Sequence, residues 1–175
     1  MNIILILLLT LTPPALPVDQ HPSQVSQSKE TVPTPISELR KAPSKVVLDG
    51  RSLTLSADLW RDFLPGISSG PDGRPMMAVF KVATSDKKPF PTGVRIERVW
   101  VLFGEQVWDP GEFDKDPSHG KDSWTCPDTP VCEVSARNGP KWGPNIYVDV
   151  VVRLVDKEGR RHLLQATRQY VQRTD

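Results

Sequence analysis

The chain has 175 residues, with 22 Lys and Arg against 21 Asp and Glu, so its formal net charge is +1. That balance excludes the basic excess a nucleic-acid binder needs for phosphate contacts. The length fits one ordinary domain with extensions, and no apolar run reaches the roughly 18 residues of a spanning helix.

Residues Ile3 to Leu11 are nearly all Ile and Leu, and Pro13 and Pro14 follow. The run is too short to cross a bilayer and fits the apolar segment of a secretory signal, so 1–17 is expected to be a signal peptide. No Lys or Arg precedes the run, and Ala15 is the best small residue near a cleavage point. The alternative is an amino-terminal strand or buried segment. From 18 to 44 the composition turns to Pro, Ser and Gln, without aromatics and with isolated aliphatics such as Val25, Val32, Ile36 and Leu39. Ordering a residue's backbone costs about 1–2 kcal/mol. Scattered single aliphatics do not offset that, and a flexible tether is expected, in which Ile36 to Lys41 could make one helical turn limited by Pro43.

The folded part is expected over 45–175, because every Trp, Phe, Tyr and Cys lies beyond Asp58. Its segments are short, rich in Val, Leu and Trp, and broken by Gly, Pro and Asp, which is a β pattern. Val46 to Leu48 and Ser52 to Leu55 flank Asp49-Gly50, a pair suited to the positive φ values of a type I′ hairpin. Met76 to Thr84 alternates. In Val94 to Phe103, Val94 and Ile96 share one parity, while Val99, Val101 and Phe103 have the other. An extra residue near Glu97 or Arg98 would cause this switch; the alternative is a strand covered on both faces, with Trp100 and Leu102 buried. Cys132, Val134 and Ala136 share a parity. Ile146 to Leu154 presents one wholly aliphatic face, and His162 to Gln172 returns antiparallel, with Leu164, Ala166 and Tyr170 grouped by parity.

About seven strands with hairpin signals imply an all-β, antiparallel two-sheet sandwich. The chain resembles an immunoglobulin-like or fibronectin-III-like sandwich, though it lacks the cysteine–tryptophan–cysteine arrangement of antibody domains. The segment Leu59 to Gly66, the triplet Arg98-Val99-Trp100 and the ending Tyr170 to Asp175 also resemble a family of small exported bacterial proteins. That resemblance implies fold and export and carries no activity.

Cys126 and Cys132 enclose five residues, two of them prolines, and in an exported protein they are expected to form a disulfide. Closing so small a ring is worth about 2 kcal/mol in the chain-entropy account. A redox pair would more usually have two intervening residues, and two sulfurs with three scattered His make a poor zinc set. The acidic loop from Trp108 to Asp122 offers Asp114 and Asp116 as oxygens. It lacks the Gly and Glu spacing of a calcium loop, so no metal or cofactor is expected. No nucleophile motif organises the Asp, Glu and His residues, and Glu112, Asp114 and His119 carry only the minor reading of a small hydrolase.

Trp60 and Trp100 sit in strand patterns and read as core. Trp108, Trp124 and Trp142 sit in loop-like surroundings. Indole rings there either cap the open ends of the core or anchor a partner. The expectation is an exported, secreted or periplasmic, non-catalytic module that contacts an envelope protein through these loops, with a glycan as the alternative partner.

Overall fold

Asp49 and Gly50 both take positive φ, 51° and 73°, and close the first hairpin as their side chains allow. In the computed structural model, residues 34–65, 70–111, 113, 126 and 128–175 are described. They contain one short helix, α1 (Ile36–Leu39), and the strands β1 (Val46–Leu48), β2 (Arg51–Asp62), β3 (Met76–Thr84), β4 (Arg95–Phe103), β5 (Gln106–Trp108), β6 (Val131–Gly139), β7 (Ile146–Val155) and β8 (Arg161–Thr174). The all-β class follows from the short alternating runs. The expected signal at 1–17 and the tether over 18–33 lie outside the described residues. No helix among the described residues is long and apolar enough to cross a membrane.

The strands form one hydrogen-bonded sheet in the order β5-β4-β7-β8-β2-β3-β6, with β1 on β2. This differs from the two separately bonded sheets expected from the alternation. The reason is β2, which is twelve residues long. Leu53 to Trp60 pair antiparallel with β3, while Leu59 to Asp62 pair parallel with the end of β8. One strand thus serves both halves, and the sheet curls so that its inner faces share one core. Leu53, Phe80 and Val82 from one half meet Val99, Val150 and Leu164 from the other in a single buried cluster.

β4 is both bulged and covered on two faces. Its register against β7 shifts between Ile96 and Arg98, as the parity switch requires. Val99 and Val101 face the main core, while Trp100 and Leu102 join Val151, Leu39 and Ala42 in a second cluster on the outer face. Arg98 and Arg153 flank the Trp100 ring, with guanidinium carbons 5.6 and 5.3 Å from its centre.

Residues 36–42 fall in the stretch expected to be a tether, yet they strap this outer face. Leu39 and Ala42 are buried. The Gln165 N–H donates to the Pro43 carbonyl at 2.8 Å, and Arg40 donates to the Gly104 carbonyl and to Glu105. Burying one Leu is worth about 1.5–3 kcal/mol, so Leu39 offsets only part of the cost of ordering the turn, and the burial of Ala42 and the bonds at Pro43 and Arg40 add to it. The surface that makes this possible lies some sixty residues away in sequence, so local composition could not reveal it.

Candidate functional site

The tryptophans expected at the surface are placed differently from one another. Trp108 on β5 is buried in the main core, against Gly139 at the end of β6. It closes the core where two sheet edges approach, and is not a free ring. Trp142 is partly exposed; it packs on the core from the β6–β7 connection, its ring 5.7 Å from that of Phe103. Trp124 lies outside the described residues, as do Glu112, Asp114 and His119. Cys126 and Cys132 are joined, with Cα atoms 4.9 Å apart, and the bridge pins Cys126 to the start of β6.

The exposed apolar surface gathers at one end of the fold. Among the described residues the large exposed apolar side chains are Leu64, Phe103, Val107, Tyr147, Tyr170 and Val47. The registers place the first five at the same strand end: β2 ends beside the end of β8, β7 begins opposite it, and β4 turns into β5 there. Tyr147 and Tyr170 face outward from the sheet, while Phe103 shares the inward parity of Val99 and Val101. Only Val47 belongs to the other end. Trp142 joins this aromatic end from above Phe103.

A bulge builds the most exposed part of it. In the β7–β8 pairing, Val150 opposes Ala166 and Val148 opposes Gln169, so Thr167 and Arg168 together face Asp149. Arg168 takes a left-handed φ of 54°, and its N–H donates to the Asp149 carboxylate at 2.8 Å. The extra residue reverses the parity of β8. Leu164 and Ala166 point inward, but after the bulge it is Val171 that is buried. Tyr170, grouped with Leu164 and Ala166 by the sequence pattern, therefore turns outward. It meets its cross-strand partner Tyr147 with ring centres 5.3 Å apart, and its hydroxyl donates to Asn145 Oδ1 at 2.6 Å. The Arg168 guanidinium sits 4.8 Å over the Tyr147 ring. Both tyrosines are about half exposed, at 53% and 43%. The only sequence signal for this site was the polar interruption Thr167-Arg168-Gln169 in an otherwise alternating strand.

Beneath the site, Arg61 holds the loops. It is 3% exposed. Its Nε donates to the Arg74 carbonyl at 3.1 Å, one terminal nitrogen to the Lys141 and Gly143 carbonyls, and the other to the Asp72 carbonyl. Four backbone oxygens from two loops converge on one cation, and their dipoles offset its desolvation. Burial lowers the guanidinium pKa and the Asp72 carboxylate opposes that. An arginine stays charged throughout the ordinary pH range. Arg61 and Arg173 both approach the Phe63 ring, with guanidinium carbons 4.9 and 4.3 Å from its centre.

No protein-family model matches the chain, and no curated protein does either. The site is therefore read from its own chemistry.

The opposite end carries a carboxylate–imidazole pair. Asp156 Oδ2 is 2.9 Å from His162 Nε2, at a cavity of about 250 Å³ lined also by Val47, Val94, Lys157 and Arg160. Asp156 is committed to its turn, however. It accepts the N–H groups of Glu158 and Arg160 at 3.0 and 2.9 Å and the Arg160 Nε at 2.7 Å. Burial alone would raise its pKa, but the bonds from His162 and Arg160 outweigh that and hold the carboxyl well below the usual range. Its geometry stiffens the β7–β8 hairpin. Among the described residues no three His, Cys, Asp or Glu side chains converge as a metal set.

Proposed function

We propose that this chain is an exported, non-catalytic β module that makes protein–protein contact in the cell envelope through its aromatic end. The observation that carries the reading is the exposed Tyr147–Tyr170 ring pair, with Leu64, Phe103 and Val107 also exposed at that strand end. Tyr, Trp and Arg are the residues on which binding energy concentrates. Rigid scaffolds also place recognition on their connecting arms. The Tyr147–Tyr170–Arg168 cluster is presented at the cost of a left-handed Arg168, a conformation that a bulged strand imposes and that is consistent with a functional position. Export is supported by the Ile3 to Leu11 run and by the joined cysteines.

The fold reading that accompanies this function is immunoglobulin-like. The strand order supports it: β5-β4-β7-β8 and β2-β3-β6 are two runs, and β2 changes partner between them. Protein contact stands ahead of glycan binding because Arg168 lies over a face of Tyr147 that a sugar ring would need.

A photo-crosslinking residue in place of Tyr170, in the native envelope, tests the reading. Discrete adducts from this position, and none from the same residue in place of Val47, are expected. Adducts at both positions alike, or at neither, would contradict it.

A further inference from the structure

At the rim of the aromatic end, a cleft of about 410 Å³ opens between the two loops that Arg61 holds. Phe63, Pro71 and Pro144 form its apolar walls, and Arg61, Lys141 and Asp72 its charged ones. We infer that this cleft takes a carboxylate side chain from an acidic polypeptide segment of the partner. The inference rests on the contact reading above and names the chemistry of what is contacted.

The charge inventory supports it. Arg61 is almost wholly buried, and its close partners are neutral carbonyls; no carboxylate stands within ion-pair distance among the described residues. Its positive charge is therefore softened by dipoles and not cancelled. Lys141, half exposed, adds a second cation, and Asp72 meets it only at the outer limit of an ion pair, 4.0 Å. Arg173, also over the Phe63 ring, is matched by Asp175. The cleft is thus left with one unmatched positive charge, while its concave, low-dielectric walls concentrate the field. The molecule as a whole carries almost no net charge, so this local excess does not follow from an overall basic composition. An aromatic and proline wall beside the cations suits the methylene stem of Glu better than a bare inorganic ion. Arg61 acts here through its field and through the loops it positions, since its donors face the carbonyls. Lys141 is the group placed to touch the ligand.

The probe is an acetylated tetraglutamate amide, titrated into the full chain at low salt and followed by backbone NMR, with tetraglutamine and inorganic sulfate as the other arms. Saturable shifts are expected at Phe63, Lys141 and Gly143 with tetraglutamate. Lys141→Glu should weaken binding at least about tenfold, as loss of one charge-assisted contact does. Tetraglutamine should leave these amides unmoved. An equal response to sulfate would show a general anion site and overturn the peptide assignment. Shifts spread over the surface, or unchanged by Lys141→Glu, would overturn the cleft. The crosslinking outcome at Tyr170 is independent of Lys141, so failure of this inference is distinguishable from failure of the contact reading.

Discussion

Trp108 lies so close to Gly139 that a Cβ on the glycine would come within 2.8 Å of the indole ring. Here the short strand β5 and the edge strand β6 approach, at opposite ends of the sheet order, and the ring fills what would otherwise be an open seam. A rigid indole packed in the core cannot step aside as a flexible chain end could. Gly139→Ala is therefore expected to lower unfolding free energy by about 1–3 kcal/mol, the ordinary cost of overpacking. Denaturant unfolding checks it, and an unchanged midpoint would mean the seam is looser than the contact implies.

The strap makes a second prediction. Leu39 is 1% exposed and packs with Trp100 and Leu102 on the outer face of the sheet. Leu39→Ala should cost about 2 kcal/mol, the low end for such a truncation, because a single turn can yield without unfolding the sheet. The fluorescence of Trp100, taken as the difference between spectra with and without Trp100→Phe, should shift to the red. A shift with no loss of stability would make the strap a cover and nothing more.

Arg168 predicts a separation of stability from binding. Its φ of 54° is costly for a residue with a Cβ, by about 1–2 kcal/mol. Arg168→Gly relieves that cost and removes the cation over Tyr147. The melting temperature should hold or rise, while crosslinking from position 170 falls. A variant that is both less stable and fully competent in crosslinking would remove the bulge from the site.

Acid should loosen the β7–β8 hairpin. Asp156 has its folded pKa depressed below the unfolded value of about 4. Its contribution is therefore present above that value and is lost as pH falls through the folded pKa. Glu97 is depressed in the same direction, with burial opposed by bonds from Arg161 and Arg153. Stability is expected to decline below about pH 4. Asp156→Asn should lower stability at neutral pH and flatten that decline. An unchanged acid limb in the variant would show that other carboxylates dominate.

What was legible in the sequence follows a physical division. Alternation located the longer strands, the Asp49-Gly50 pair marked its turn, and the parity break in β4 disclosed its bulge, because these depend on neighbours in the chain; the three-residue β5, with Trp108, reads in the sequence as loop. The role of β2 was not legible, since a strand that changes partner keeps an unbroken apolar pattern. The strap was not legible either: Leu39 is buried by Trp100 and Leu102, and nothing near residue 39 announces them. Trp142 is conspicuous as an indole in a Pro-Gly loop, and it stays partly exposed beside Phe103. Trp108 looked equivalent but closes the core. Tyr170 was assigned to the wrong face, because a bulge at a polar dipeptide leaves no apolar signature.

The account depends most on the aromatic end being a contact surface. Its most direct test is the affinity of the crosslinked partner for wild type, for the double variant Tyr147→Ala with Tyr170→Ala, and for Val47→Ala. Loss of at least about 30-fold in the double variant, with Val47→Ala and the melting temperature unchanged, is the expected result, in keeping with a hot spot worth 2 kcal/mol or more. Equal affinity for all three proteins would contradict it.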